Sequence, residues 1–370
     1  MRSIGLALLA VLVLAGACMP EEVLAPSPLT RVLQLVPMDL DPLTIGFTDW
    51  LAIKRALDVP DLTSSSPLED RIAFALDTDG DHALGSAFGL SKLSTHAETW
   101  GFDSTDLEWE AQILGAALPS IYILKLRDDF EVGPLDARFL GRGFVQTASF
   151  GAILYARNVD PSADWLRSSE LAIHTTAVLK DEKLLILSSS FPAVRLVLAT
   201  QSGEVRSLAE SLAATTLFEQ LDGSYGAYMM LGRSTCLRFS PNPLLDRIGA
   251  TPDDSALDAL RAWFASGDPL RAYEALGTGY VHDEGVPIGT IAFVYTDADD
   301  AMDDLEPRQL LATNGASSLT EKPIAETYFA VTDATVDETV LQFTVSPTND
   351  QPRRLFQMLI YADAPFAACR

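Results

Sequence analysis

Three aspartates at alternate positions, Asp77, Asp79 and Asp81, form the sharpest chemical motif in the sequence. Alternating carboxylates can surround one point, which is how a calcium-binding loop begins. An EF-hand continuation is missing, because His82 stands where the turn glycine is needed and Phe88 stands where the bidentate glutamate is needed. The stretch favours a solvated loop at the end of a helix, and Ca²⁺ is the alternative that it leaves open.

Glu108 and Glu110 lie two residues apart in a stretch where apolar and polar residues alternate, which predicts a half-buried strand. Side chains at this spacing share one face of a strand, about 7 Å apart at the backbone. Two carboxyl groups near that separation can hydrolyse a glycoside, provided that one has a raised pKa and serves as the acid. The same alternation also predicts that both glutamates simply form the wet face of a hairpin.

Other signatures of catalysis and of cofactor binding are missing. The sequence contains no Gly-x-Ser-x-Gly, Ser-x-x-Lys, His-Glu-x-x-His or Gly-x-x-x-x-Gly-Lys motif. The Gly-x-Gly pairs that begin at Gly141 and Gly277 lack the third glycine of a dinucleotide fingerprint. We therefore expect no cofactor, and Glu108 and Glu110 are the catalytic candidates that remain.

The chain has three cysteines, Cys18, Cys236 and Cys369. If Cys18 is modified, the other two form an even pair, which can persist as a disulfide in an oxidising compartment. That bond would close a loop of 369 − 236 = 133 residues, and the chain-entropy model values such a closure at roughly 4 to 5 kcal/mol. The alternative is two separate buried thiols that behave as small hydrophobic side chains.

Residues 1–17 have the layout of a secretory signal peptide, and we predict that they form one. Arg2 is followed by the apolar run Ile4–Leu14 and then by the small residues Ala15-Gly16-Ala17. The run is shorter than the ~20 residues that a membrane-spanning helix needs. An ordinary signal peptidase cutting after Ala15-x-Ala17 would release a soluble secreted protein.

Leu14-Ala15-Gly16-Ala17-Cys18 also resembles the lipobox of bacterial lipoproteins, although Ala15 stands where that motif usually has leucine. The resemblance covers residues 1–18 only. It implies that Cys18 is acylated and becomes the mature N-terminus. A lipid bilayer is then the first partner of the protein, which would sit on the outer face of a bacterial membrane.

Composition excludes some partners. The formal net charge is −25, so the surface repels phosphate backbones, which argues against nucleic acid, and it also repels anionic lipid head groups. With 48% hydrophobic and 21% charged residues, the mature chain is expected to fold.

The hydrophobic pattern predicts an α+β fold of antiparallel sheets with helices on one face. This prediction rests on four successive hairpin-then-helix (ββα) units. An internal duplication is one interpretation of their repetition. The hairpins are expected at residues 107–126, 172–187, 272–295 and 326–345. Residues 18–30 are expected to be a proline-rich tether, followed by an N-terminal domain at 31–232 and a C-terminal domain at 233–370.

Three functional hypotheses follow. The first is a non-enzymatic, membrane-tethered lipoprotein that binds or scaffolds an envelope protein or small ligand. The second is an extracytoplasmic hydrolase of a glycan or ester that uses Glu108 and Glu110. The third is a calcium-dependent adhesion or sensor module that uses the aspartate motif.

Overall fold

The structure is a computed structural model, and it describes residues 27–40, 43–79, 93–115, 118–157, 173–232, 235–239 and 270–369. The predicted signal peptide, Cys18, Asp81 and most of the tether lie outside these residues. The described chain combines helices with one large antiparallel sheet, so the α+β class is confirmed.

Twelve strands of the described chain form this sheet. They are β1 (Leu43–Asp49), β2 (Leu107–Gly115), β3 (Leu118–Leu126), β4 (Val145–Ser149), β5 (Ala152–Ala156), β6 (Thr175–Leu179), β7 (Leu184–Ser188), β8 (Gly226–Leu231), β9 (Ala275–Asp283), β10 (Val286–Val294), β11 (Phe329–Asp337) and β12 (Val340–Pro347). Their order across the sheet is β11-β12-β10-β9-β8-β1-β2-β3-β7-β6-β5-β4. The two edge strands are therefore β11 and β4.

The α-helices in the described ranges are α1 (Pro28–Leu35), α2 (Trp50–Ala56), α3 (Leu68–Asp77), α4 (Leu93–Trp100), α5 (Gly133–Gly141), α6 (Phe191–Gln201), α7 (Leu212–Leu221), α8 (Ala298–Asn314), α9 (Ile324–Thr327) and α10 (Arg353–Ile360). Side-chain caps decide where several of them begin. Asp49 accepts a hydrogen bond of 2.8 Å from the backbone N–H of Ala52 at the start of α2. Ser190 and Asp297 cap α6 and α8 in the same way.

Alternation along the strands divides the sheet into two faces. We call them the Ile45 face and the Glu110 face. The Ile45 face packs against α1, α6 and α7, which contribute Val32, Val197 and Leu217 to its core. The Glu110 face has two cores. One lies under α2 to α5 and includes Trp50, Phe74 and Phe139. The other lies under α8, α9 and α10 and includes Leu311, Ile324 and Phe356.

The prediction of helices on one face was wrong. After the hairpin β6–β7, α6 packs on the Ile45 face, whereas α5, α8 and α10 follow their own hairpins onto the Glu110 face. The reason lies in the strands. All residues of β6 and β8 are buried, for example, so neither side of the sheet can face water.

The sheet also continues across the proposed domain boundary at residues 232/233. β8 pairs with β9 from Gly226 opposite Tyr280 to Leu231 opposite Ala275. The N-terminal and C-terminal portions therefore share one sheet.

Two contacts hold the C-terminal end of the chain. The structure contains the Cys236–Cys369 disulfide, with the Cα atoms 5.3 Å apart. Arg308 is fully buried in α8, forms an ion pair of 2.8 Å with Asp304, and donates from Nη1 to the Ala368 carbonyl at 3.0 Å. Such a buried guanidinium is tolerated because its hydrogen bonds are satisfied.

Candidate binding cleft

A cleft of about 430 Å³ opens between the segment 57–66 and helix α3. Leu57, Asp58, Val59, Pro60, Asp61, Leu62 and Ser66 line it from the segment, and Asp70, Ala73, Phe74 and Asp77 line it from the helix. This volume is in the usual range for a ligand site.

The rim of the cleft is acidic and its floor is apolar. Asp58, Asp61, Asp70 and Asp77 are exposed, and within the described part of the chain none of them forms an ion pair. Leu62 and Phe74 are buried beneath them. The cleft therefore attracts positive charge and offers apolar surface to the group that carries it.

One wall of the cleft is a segment held by its own backbone. Asp58 has the left-handed φ of 58°, which turns the chain after α2. The N–H of Val59 then donates to the Lys54 carbonyl at 2.9 Å. Further along, the N–H of Ser64 donates to Asp106 Oδ1 at 3.2 Å. This wall is thus tied to the body of the protein at both ends.

The other wall is one side of α3. Asp70, Ala73, Phe74 and Asp77 have the spacing i, i+3, i+4, i+7, which places them along one stripe of a helix. Arg71 points into the protein and forms an ion pair of 2.5 Å with Asp103. The ring of Phe74 packs against Trp50, with centroids 6.1 Å apart. These contacts fix the rotation of α3 and hence the direction of its aspartates.

Both walls rest on two fully buried aspartates, Asp103 and Asp106. They form a reciprocal capping box around the 3₁₀ turn Ser104–Asp106. Burial raises the pKa of the Asp103 carboxyl. Lys54 donates from Nζ to the Thr105 carbonyl at 3.0 Å, and burial lowers the pKa of its ammonium group.

Sequence reasoning missed these positioning residues. The pattern Asp103-x-x-Asp106 is a capping-box signature and was the one local signal available. Nothing in the sequence indicated that the same two carboxylates would also hold Arg71 and Ser64 from distant segments.

Glu110 lies behind the cleft, on the other side of Trp50. Burial raises the pKa of its carboxyl group to about 8, and the adjacent Trp50 side chain opposes part of that rise. Glu110 is therefore largely protonated at neutral pH. Phe74, Trp50 and Glu110 form a contact path from the floor of the cleft to the centre of the sheet.

Glu108 has different surroundings from Glu110. It lies 3.6 Å from Lys125 Nζ and accepts a hydrogen bond of 3.1 Å from the Asp128 N–H. Burial raises the pKa of Glu108, while Lys125 lowers it. A register shift between Leu107 and Trp109 interrupts the alternation that predicted a shared face for the two glutamates. The two carboxyl groups thus bind separate partners.

The alternating aspartates are also divided. Asp77 lines the cleft, whereas Asp79 forms an ion pair of 2.6 Å with Arg353 of α10. Within the described ranges, no three His, Cys, Asp or Glu side chains converge as a metal site would require.

Among the described helices, none combines the length and the apolar character needed to cross a bilayer.

Comparisons with known proteins give no family. No protein-family profile and no curated protein matches the sequence. Two crystal forms of TP0453, from Treponema, align with the structure. Form I has a TM-score of 0.39 at 10% identity, covering 90% of this chain and 97% of that one. Form III has a TM-score of 0.33 at 9% identity, covering 89% and 97%. Similarity at this level does not define a shared function.

Proposed function

We propose that this protein is an exported, membrane-tethered lipoprotein with a non-enzymatic binding role in the cell envelope, and that the cleft between segment 57–66 and α3 takes a positively charged ligand. The tether is assigned to acylated Cys18, as the lipobox resemblance implies. The proposed ligand is a cationic group on an apolar stem, either a small amphiphile or a lysine or arginine side chain of an envelope protein.

The proposed binding role rests on one observation. Four exposed carboxylates line a cleft with an apolar floor, and within the described part of the chain none of them forms an ion pair. Like charges held together around a cavity repel each other, so a bound cation relieves that repulsion. The walls are held by backbone and buried side-chain hydrogen bonds, so binding does not have to order them first.

The hydrolase hypothesis receives less support. A glycosidase needs two carboxyl groups that flank one substrate bond. Glu108 contacts Lys125 and Asp128, whereas Glu110 contacts Trp50. These separate surroundings favour a binding role over hydrolysis.

n-Hexylammonium is a suitable probe, because it joins a positive charge to an apolar stem. We expect it to shift the NMR signals of Leu62, Ser66 and Ala73 saturably. Hexanol and hexanoate, which have similar stems without a positive charge, should bind more weakly. The expected affinity is low and should fall with added salt, because surface charges are screened.

Replacing two rim carboxylates tests the assignment. In the variant Asp61→Asn with Asp70→Asn, we expect binding of n-hexylammonium to weaken roughly fivefold, since an exposed charge pair contributes about 0.2–1 kcal/mol. Asp181→Asn, an exposed aspartate in the β6–β7 turn, is the matched control. Equal binding by all three proteins, or no saturable shift, would refute the cleft as a cation site.

A further inference from the structure

The two edges of the sheet differ in how they are protected. β11 has a register shift between Val331 and Asp333, and it carries the charges of Asp333 and Asp337. Bulges and charges of this kind prevent edge strands from pairing with another chain. β4 reads Val-Gln-Thr-Ala-Ser, with no charge, no proline and no bulge. Val145 at its start is 71% exposed.

The backbone of β4 is arranged to accept another strand. Phe150 and Gly151, both with positive φ, form the two-residue turn to β5. Ser149 and Ala152 therefore close the hairpin as a hydrogen-bonded pair, and such pairs alternate along the strands. Gln146 and Ala148 then direct their N–H and C=O groups away from β5. No described strand lies beyond β4, so within the described part of the chain these four groups form the open edge of the sheet.

We infer that β4 pairs with β4 of a second copy of this chain, in antiparallel orientation about a two-fold axis at Thr147. In this register Gln146 lies opposite the partner's Ala148, and Ala148 lies opposite the partner's Gln146. Each of these two pairs exchanges two backbone hydrogen bonds, which gives four in all. Between these two pairs, Thr147 lies opposite the partner's Thr147 as a non-hydrogen-bonded pair, in which the Cα atoms are closest. Val145 lies opposite the partner's Ser149, which pairs a large side chain with a small one.

Charge makes β4 the edge at which a second copy meets the least repulsion. Two copies of a chain with a net charge of −25 repel each other at most surfaces, and β11 would bring Asp333 and Asp337 against their counterparts. β4 contains no charged residue. A five-residue strand pair buries less than the roughly 1,200 Å² of a stable interface, so the dimer should be weak and concentration-dependent.

Cysteine cross-linking tests the register. The test uses the full exported chain with Cys18→Ser, in which Cys236 and Cys369 are already bonded to each other. Thr147→Cys places two Cα atoms about 4.5 Å apart across the axis, so we expect a cross-linked dimer under mild oxidation. Val145→Cys places them about 14 Å apart along the strands, beyond the reach of a disulfide. Equal cross-linking of the two variants, or none, would overturn the proposal.

Sedimentation equilibrium tests the association without new thiols. Ala148→Pro removes an N–H that points away from β5, so the β4–β5 hairpin should survive while the dimer loses two of its four hydrogen bonds. We expect at least a tenfold weaker dimer, with an unchanged melting temperature. Thr335→Lys in β11 is the control and should dimerise normally. A chain that is monomeric at all concentrations would refute the dimer and leave the edge available to an extended peptide.

Discussion

Single buried residues show where this fold departs from ordinary solution chemistry. Glu110 retains its proton near neutral pH because burial in the centre of the sheet disfavours its charged form. Arg308 remains charged when fully buried because Asp304, Tyr295 and three backbone carbonyls accept its hydrogen bonds. The Glu110 carboxyl group tolerates burial because it is neutral. The Arg308 guanidinium tolerates burial because these partners accept its hydrogen bonds.

Glu110→Gln should change how stability depends on pH. The pKa of Glu110 is about 8 in the folded chain, against an ordinary value of 4.5. Between these values unfolding releases a proton, so the wild type loses stability as pH rises, by up to about 1.4 kcal/mol per pH unit. Glutamine cannot ionise. The stability advantage of Glu110→Gln should therefore grow from pH 5 to pH 8 and level off above it.

Urea unfolding at a series of pH values measures this difference. Glu219→Gln, an exposed glutamate in α7, serves as the background control. A pH-independent difference between wild type and Glu110→Gln would show that Glu110 does not retain its proton in the fold.

At the scale of elements, the contacts that the described residues make with α3 lie on one side of this helix. Arg71 and Phe74 face the protein, Asp70 and Asp77 face the cleft, and Leu68, Ile72 and Leu76 are exposed. The placement of α3 depends mainly on the Arg71–Asp103 ion pair and on the Phe74–Trp50 contact. Loss of either contact should therefore disturb the cleft before it disturbs the sheet.

Asp103→Ala tests the role of the ion pair. The change leaves the buried guanidinium of Arg71 without its carboxylate, and removing one partner of a buried pair costs about 3–5 kcal/mol. Thermal or urea unfolding should record this loss, together with weaker binding of n-hexylammonium. Asp129→Ala removes the exposed partner of Arg127 and should cost at most about 1 kcal/mol. Similar losses in both variants would mean that Asp103 does not anchor α3.

The hairpin-and-helix elements were the most predictable part of the fold. The strands at 107–126 and the helices capped by Ser190 and Asp297 follow from alternation and capping residues. The hairpin expected at 326–345 begins only at Phe329, because Ile324–Thr327 forms α9. The short β4–β5 hairpin and β8 were missed. The repeated ββα unit and the internal duplication remain predictions.

At the scale of the whole molecule, one sheet joins the two predicted domains and the disulfide holds the C-terminal end. The described body begins at Ser27, which accepts a hydrogen bond from the Thr30 N–H at the start of α1. If Cys18 is the mature N-terminus, eight residues separate it from Ser27. Such a linker can span at most roughly 30 Å, which would keep the folded body close to the membrane.

Intact mass spectrometry tests both ends of the chain. For protein purified from its own membranes, we expect a chain that begins at Cys18 and carries added lipid. Reduction after denaturation should add about two mass units, for the two hydrogens taken up by the Cys236–Cys369 disulfide. An unmodified chain in the soluble fraction would instead mean that Ala15-x-Ala17 was cut as an ordinary signal sequence.

The sequence by itself determined the α+β class, most of the strands and helices and the net negative charge, and it offered a Cys236–Cys369 disulfide as one of two alternatives. These follow from periodicity, capping, cysteine number and composition, which are local or additive properties. Only the tertiary structure decided that helices cover both faces, that Glu108 and Glu110 have different partners, and that four aspartates from two segments surround one cleft. Those features depend on which side chains, distant in sequence, lie together in the fold. The state of a carboxylate, whether neutral, ion-paired or exposed, is set by these surroundings and not by its residue type alone.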